Sequence, residues 1–198
     1  MAPEERRAAL IAATIPLLRE HGPDVSTRQI AQAAGVAEGT IFGVFSDKNT
    51  LLVTALASAL DPRLTLAAIA AIDTALDLRT RLIAAADLIN QRFTGNAQLI
   101  AAARKLALAH DADPEARRRM SESREALLAA LAEMIEPDAG RLRRSPAATA
   151  GLLLLFCASS THGPFGDPAD FNAAELVSLL LDGLLIRNDE NHGGAVRC

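Results

Sequence analysis

Apolar residues recur three and four positions apart along most of the chain, and short groups of Gly, Pro, Ser and Asp interrupt the pattern. This spacing is typical of amphipathic helices whose apolar faces point towards a core. The first such stretch places Leu10, Ile11, Leu17 and Leu18 on one side of a helix. The pattern predicts helices over residues 3–20, 26–34, 37–44, 46–60, 63–72, 77–93, 97–109, 114–135, 146–160 and 172–187.

Local signals support several of these boundaries. Ser26 and Gln29 form an S-x-x-Q capping box, which predicts a helix start at Ser26. Gly35 predicts the end of that helix, because glycine is free to adopt a left-handed conformation. Asp47 and Ser145 precede further predicted helices as capping residues. Pro16 lies inside the first helix, where it should remove one hydrogen bond and bend the axis.

The composition favours an all-α fold. Half of the 198 residues are hydrophobic, with alanine and leucine dominant, and aromatic residues make up only 3%. Strands would favour β-branched and aromatic residues instead. The predicted helices become longer after Pro62, so we expect an N-terminal domain over residues 1–60, a second helical domain over 61–187 and a flexible tail over 188–198.

Charge and cysteine content narrow the classes of function. The net charge of −4 excludes a uniformly basic coat, so contact with nucleic acid would need a local cationic surface. The two cysteines lack a C-x-x-C partner, which argues against zinc or a disulfide framework. The apolar stretch over residues 147–158 is shorter than the roughly 20 residues of a transmembrane helix. We therefore expect a cytoplasmic protein without a membrane partner, cofactor or metal.

The most informative segment is Ser26–Lys48, with the sequence STRQIAQAAGVAEGTIFGVFSDK. It predicts two short helices joined by a tight turn of small residues at 34–36. A miniature core against the first helix would contain Ile30, Val36, Ile41 and Phe45. The second helix would keep its other face exposed, as a helix that enters a major groove requires. That face carries the small residues Gly39, Thr40 and Gly43.

At these positions the chain resembles the DNA-binding domain of the TetR family of repressors. The resemblance covers most of residues 7–52, and beyond residue 60 it extends only to length and number of helices. The matching residues are His21-Gly22, Ser26-Thr-Arg-Gln-Ile-Ala, Ala34-Gly-Val, Gly39-Thr-Ile-Phe, Phe45, Asp47-Lys48 and Leu51-Leu52.

The resemblance implies DNA-contacting roles for residues of this segment. The residues with implied or expected DNA contacts are Thr27, Arg28, Gly39, Thr40, Phe42, Gly43 and Lys48. Four departures from the family pattern weaken this expectation. Ala37 replaces a serine cap, Phe42 replaces a phosphate-contacting tyrosine, Gly43 replaces a larger polar residue, and Glu38 adds an acid. Residues 1–50 hold five Lys and Arg against six Asp and Glu, so modest affinity per subunit is expected.

The resemblance also implies a homodimer and a small-molecule effector. The last two predicted helices would pair across a two-fold axis and place two recognition helices about 34 Å apart on a near-palindromic operator. An apolar effector would bind among the middle helices and release the DNA. The residues proposed to line its cavity are Leu88, Asn90, Gln91, Phe93, Phe156 and His162. A role for the apolar members in the core alone is the simpler alternative.

Two other classes of function compete with a repressor. An enzyme would need a cluster of catalytic residues, and no such pattern is evident in the sequence. His110, Asp111 and Asp113 are explained more simply by a polar loop and a helix cap than by a metal site, and Arg117–Arg119 by a solvated helix face. The remaining alternative is a ligand-sensing or protein-binding module with a degenerate DNA-binding domain, favoured by Glu38, Phe42 and Gly43.

Overall fold

The computed structural model describes residues 2–108, 114–162 and 172–184, and its regular elements in these ranges are helices. Two short 3-10 helices, Gly22–Asp24 and Glu136–Arg141, follow the first and eighth α-helices. The α-helices are α1 (Pro3–His21), α2 (Thr27–Ala34), α3 (Gly39–Phe42), α4 (Lys48–Ala59), α5 (Arg63–Ala70), α6 (Leu78–Gly95), α7 (Ala97–Leu108), α8 (Pro114–Ile135), α9 (Pro146–His162) and α10 (Ala173–Leu184).

The predicted all-α fold is confirmed, and its helix starts follow the capping signals. The side chains of Ser26, Asp47 and Asp77 each accept a hydrogen bond from a backbone N–H three residues later. Each of these bonds satisfies one of the N–H groups that the first turn leaves without a helical partner.

Helix α3 is shorter than expected. The prediction gave residues 37–44, whereas the helix covers Gly39–Phe42. Ala37 has no side-chain oxygen to cap the helix, and the Thr40 N–H donates to the Ala37 carbonyl at 2.9 Å in a tight i, i+3 turn. The Val44 N–H likewise donates to the Ile41 carbonyl at 3.0 Å. Neither 3-10 helix was predicted, because such short turns lack the periodic signal of an α-helix.

The first hydrophobic core joins α1–α4 to α7. Leu18, Ile30, Ile41 and Leu52 are fully buried in it, and Phe45 is 3% exposed. This confirms the miniature core expected around Ile30, Ile41 and Phe45, with Val36 partly buried at its edge. Helix α7 contributes three further buried residues, Leu99, Ala102 and Ala103. The N-terminal four helices therefore share their core with a helix nearly forty residues farther along the chain.

The second core is formed by α6, α8, α9 and α10, with α5 packed along one side. Leu82, Ile89, Leu131, Leu153 and Val177 are fully buried there. These leucine, isoleucine and valine side chains repeat at helical spacing, so each helix turns one apolar face inwards.

Charged side chains connect α6 to the neighbouring segments of this core. Arg81 is 2% exposed, donates to the Met134 carbonyl at 2.6 Å and forms an ion pair with Asp138 in the second 3-10 helix. Asp138 also accepts from Arg141 at 2.7 Å. At the surface, Arg79 reaches Asp182 of α10 at 3.6 Å. The Arg81–Asp138 pair thus holds α6 against the end of α8 from within the core.

Polar contacts also tie the N-terminal helices to α6 and α7. Arg19 at the end of α1 donates to the Gly95 carbonyl at 3.1 Å. Lys105 of α7 forms an ion pair with Asp24 at 2.7 Å. Arg92 of α6 donates to the backbone carbonyls of Leu60 and Asp61, which follow α4. The N-terminal helices are therefore tied to α6 and α7 at three places.

Within residues 2–108, 114–162 and 172–184, one segment is long and apolar enough to cross a membrane by length and composition alone. This segment, Lys48–Ala70, has a mean hydropathy of 1.4 and is longer than the stretch over residues 147–158 considered from the sequence. It contains two helices, α4 and α5, separated by Asp61 and Pro62. Leu51 and Leu52 of α4 are fully buried, so the α4 part of the segment belongs to the first core.

Candidate nucleic-acid interface and internal cavity

The turn between α2 and α3 depends on one glycine. Gly35 has a φ of 67° and a ψ of 33°, in the left-handed region that favours glycine. Its N–H donates to the Gln32 carbonyl at 3.2 Å, and the Val36 N–H donates to the Ala31 carbonyl at 3.0 Å. These bonds end α2 and redirect the chain, as expected for a helix-turn-helix corner.

Helix α3 is anchored on one side and exposed on the other. Ile41 is fully buried in the first core, whereas Phe42 is 56% exposed. Gly39 and Gly43 are exposed, and Thr40 is half-buried. The face that carries these four residues is free of the first core. It can therefore approach a partner such as a DNA groove.

Phe45 reinforces this arrangement from the turn after α3. Its ring is almost fully buried, and the guanidinium of Arg7 lies 4.4 Å from the ring centroid. A cation over an aromatic face at this distance is attracted to the ring. This contact links the start of α1 to the segment that follows α3.

Glu38 makes a contact that the sequence did not predict. Its carboxylate accepts a hydrogen bond of 2.5 Å from the hydroxyl of Thr27, across the turn between α2 and α3. The sequence predicts Thr27 as a DNA contact and Glu38 as an unfavourable charge, but it does not predict a contact between the two. Their separation of eleven residues across a turn gives no periodic signal, so the pair could be found only in the folded structure.

The two cationic residues predicted to contact DNA each lie in the first turn of a helix. Arg28, in the first turn of α2, is exposed, and Lys48, the first residue of α4, is half-buried. Beside Lys48, Asp47 accepts a hydrogen bond of 2.7 Å from the Thr50 N–H, and this bond lowers the pKa of the Asp47 carboxyl. Asp47 therefore stays ionised as the α4 cap, and its negative charge lies next to the Lys48 position.

A cavity of about 740 Å³ lies between α4, α6, α7, α8 and α9. Thirteen of its twenty lining residues are apolar, among them Leu56, Leu127 and Leu154, each no more than 5% exposed. Six charged residues also line it: Asp61, Arg92, Arg104, Arg119, Glu122 and Arg124. The volume is in the range of small-molecule sites, whose walls combine apolar surface with a few polar groups.

The residues proposed from the sequence for an effector site are distributed unevenly around this cavity. Phe93 lines it, whereas Leu88, Asn90, Gln91 and Phe156 are not part of its lining. Leu88 packs against the second core, and Gln91 is exposed. The buried Oδ1 of Asn90 has no hydrogen-bond partner in the described structure. The side chain of His162 lies outside the described residues.

The sequence pattern does not reveal the charged residues of the cavity. Arg119 is exposed, as predicted for a solvated face of α8, but it also lines the cavity with Arg92, Arg104 and Arg124. No local pattern marks them, because the cavity forms where five helices distant in sequence converge. Groups of three His, Cys, Asp or Glu that could hold a metal are absent from the described residues, and His110, Asp111 and Asp113 lie outside them.

Residues 10–55 match the family described as bacterial regulatory proteins of the tetR family. The matched range contains the α2–α3 turn, the exposed face of α3 and the cap of α4. Residues 10–55, which lie within α1–α4, are thus a TetR-family segment. No functionally curated protein matches the chain.

Solved structures extend the TetR-family similarity to the whole fold. A TetR-family transcriptional regulator of Mesorhizobium loti is 20% identical, with a TM-score of 0.68 over 94% of this chain and all of that one. NalD of Pseudomonas aeruginosa, the secondary repressor of the MexAB-OprM multidrug efflux pump, is 21% identical, with a TM-score of 0.62 over 93% and 98% of the two chains. FadR of Bacillus subtilis, solved with stearoyl-CoA, is 17% identical, with a TM-score of 0.63 over 88% and 95%. Because the identities are this low, the similarity beyond residue 55 is a similarity of fold alone.

Proposed function

We propose that the protein is a homodimeric transcriptional repressor of the cytoplasm that binds an operator and leaves it when a small molecule binds. The observation that carries the proposal is α3, which is fixed to the core by Ile41 and exposes its opposite face. In a two-fold dimer, two such helices would enter successive major grooves.

A gel-shift experiment tests DNA binding. It uses the full chain and the DNA upstream of its own gene, over a series of salt concentrations. Binding should weaken steeply with salt, because Lys48 and Arg28 would neutralise phosphates. Replacement of Lys48 with glutamine should weaken binding and reduce the salt slope by about two, because the dimer loses one phosphate contact per subunit. Arg143→Gln is the matched control, since Arg143 is exposed and lies far along the chain from the N-terminal domain. Failure to bind at low salt would refute the proposal.

The proposed dimer would use the surface of α9 and α10. Leu179 is 63% exposed and Phe156 is 46% exposed, although both belong to strongly apolar helices. Leu179→Glu should shift the protein from dimer to monomer in light scattering, because an unpaired charge would be buried in the interface. Leu64→Glu is the control, since Leu64 is 87% exposed on α5. A monomeric wild-type protein would exclude this arrangement.

Helix α4 is the natural link between effector and DNA. Leu51 and Leu52 belong to the first core, Val53 lines the cavity, and Leu56 does both. A ligand that displaces α4 would therefore also shift the helices that present α3. A form with differently spaced recognition helices, favoured by the ligand, would lose DNA by population shift. The FadR complex with stearoyl-CoA supports a small-molecule effector in this fold.

A second candidate is a ligand-sensing or protein-binding module without DNA affinity. The Thr27–Glu38 hydrogen bond favours it, because this bond occupies a predicted DNA-contacting hydroxyl and places a carboxylate beside α3. The same salt series distinguishes the two candidates, since the module would show no salt-dependent binding.

A further inference from the structure

The charged residues that line the cavity include more arginines than carboxylates. Four arginines and two carboxylates line it, which gives a formal charge of +2 in a protein of net charge −4. The excess lies beside a mainly apolar wall. An anionic effector would complement this positive charge, whereas a purely apolar effector would not.

Both carboxylates already have cationic partners beyond the lining. Asp61 accepts hydrogen bonds from the Arg63 side chain, with a shortest distance of 2.7 Å. Glu122 accepts from Arg118 at 2.7 Å. The negative charge of each carboxylate is therefore shared with an arginine outside the cavity lining.

Three of the four arginines at the cavity have no carboxylate partner among the described residues. Arg92 is half-buried, and its guanidinium donates to two backbone carbonyls, those of Leu60 and Asp61. Burial lowers the pKa of Arg92, with a smaller opposing effect from Asp61. Arg104 of α7 and Arg124 of α8 are exposed, and neither forms an ion pair with any of the residues that the structure describes.

The apolar part of the wall fits a flexible aliphatic chain. Leu56, Leu127 and Leu154 are almost completely buried and line the cavity together with Ile100. Phe93 is the single aromatic residue among the lining residues, so the cavity offers little flat surface for stacking a ring. We infer that the cavity binds an amphipathic anion, with an aliphatic chain against the leucines and an acidic head group near Arg104 and Arg124. Its role as the effector rests on the proposed function.

Direct binding to the full chain tests the inference without DNA. Isothermal titration calorimetry suits it, because the chain has neither Trp nor Tyr as an intrinsic fluorophore. The probes are dodecanoate, dodecyl phosphate and the neutral dodecanol, each below its aggregation concentration. At least one anion should bind about tenfold more tightly than dodecanol, because it alone receives charge-assisted hydrogen bonds. Whichever anion binds more tightly identifies the head group, and equal affinity for dodecanol would overturn the inference.

Matched arginine variants locate the head group. The double variant Arg104→Gln, Arg124→Gln should bind the preferred anion about tenfold more weakly and leave dodecanol binding unchanged. The control double variant Arg143→Gln, Arg144→Gln removes the same charge from exposed positions outside the cavity lining. Circular dichroism verifies that all variants remain folded. Unchanged anion affinity in the first variant, or an equal loss in the control, would refute the assignment.

The DNA assay separates this inference from the proposed function. If an anion binds through the arginines but does not release DNA, the cavity assignment stands and the proposed release mechanism is wrong. If dodecanol releases DNA as well as either anion does, the repressor proposal stands and the inference is wrong.

Discussion

The buried ion pair between Arg81 and Asp138 should be one of the most sensitive points of the fold. Arg81 is 2% exposed, and the side chain of Asp138 is 13% exposed. Replacement of Asp138 with asparagine removes the negative charge and leaves the guanidinium of Arg81 in an apolar core. Removal of one partner from such a pair destabilises a protein by about 3–5 kcal/mol.

The same substitution at the surface provides the comparison. Asp182 is 68% exposed, and its ion pair with Arg79 spans 3.6 Å. Exposed pairs contribute about 0–1 kcal/mol, since water and salt screen them. Arg79 would also keep its 2.6 Å hydrogen bond to Ser178. Asp182→Asn should therefore change stability by less than about 1 kcal/mol.

Thermal unfolding followed by circular dichroism would measure both variants at one protein concentration. For a chain of this size, 1 kcal/mol corresponds to about 2–4 °C, so Asp138→Asn should lower Tm by roughly 10 °C and Asp182→Asn by a few degrees at most. The double variant Arg81→Met, Asp138→Leu should be more stable than Asp138→Asn, because it leaves no unpaired buried charge. Equal shifts for Asp138→Asn and Asp182→Asn would refute the reasoning.

Three further predictions concern other parts of the chain. Glu38→Gln should increase DNA affinity several-fold in the gel shift, because it removes a negative charge beside α3; unchanged affinity would place Glu38 away from the phosphates. The pKa of Asp47 is lowered in the folded state, so its stabilising effect should be complete above about pH 4 and be lost as the pH falls through the folded pKa. Urea midpoints of the wild type and Asp47→Asn should therefore converge at acid pH, and a constant difference would contradict this. Burial raises the pKa of the Cys157 thiol to about 12, so in a Cys198→Ser variant a thiol reagent at pH 8 should label the protein only after unfolding.

Local signals made much of the fold predictable. The capping box of Ser26 and Gln29 and the left-handed Gly35 depend on residues within a few positions of each other. Helix α8 was predicted over the residues that it occupies, because Pro114 and a long apolar period define it. In each case the sequence pattern and the tertiary environment favour the same structure.

The parts that could not be predicted depend on contacts between distant segments. Helix α3 is short because i, i+3 turns flank it, from Thr40 to Ala37 and from Val44 to Ile41, and a helical period does not reveal such turns. The cavity residues were largely missed for a similar reason. Asn90 and Gln91 are predicted effector contacts because they are polar residues on a middle helix, but they do not line the cavity. Arg104 and Arg124 line it because α7 and α8 converge there.

The packing of α7 has a practical consequence for dissecting the protein. Leu99, Ala102 and Ala103 complete the core of α1–α4, and Lys105 pairs with Asp24. A fragment that stops at residue 60 would leave the leucines of that core open to water and prone to association. A DNA-binding segment that is moved to another regulator should therefore include the first 108 residues, or a designed replacement for α7, so that its core stays covered.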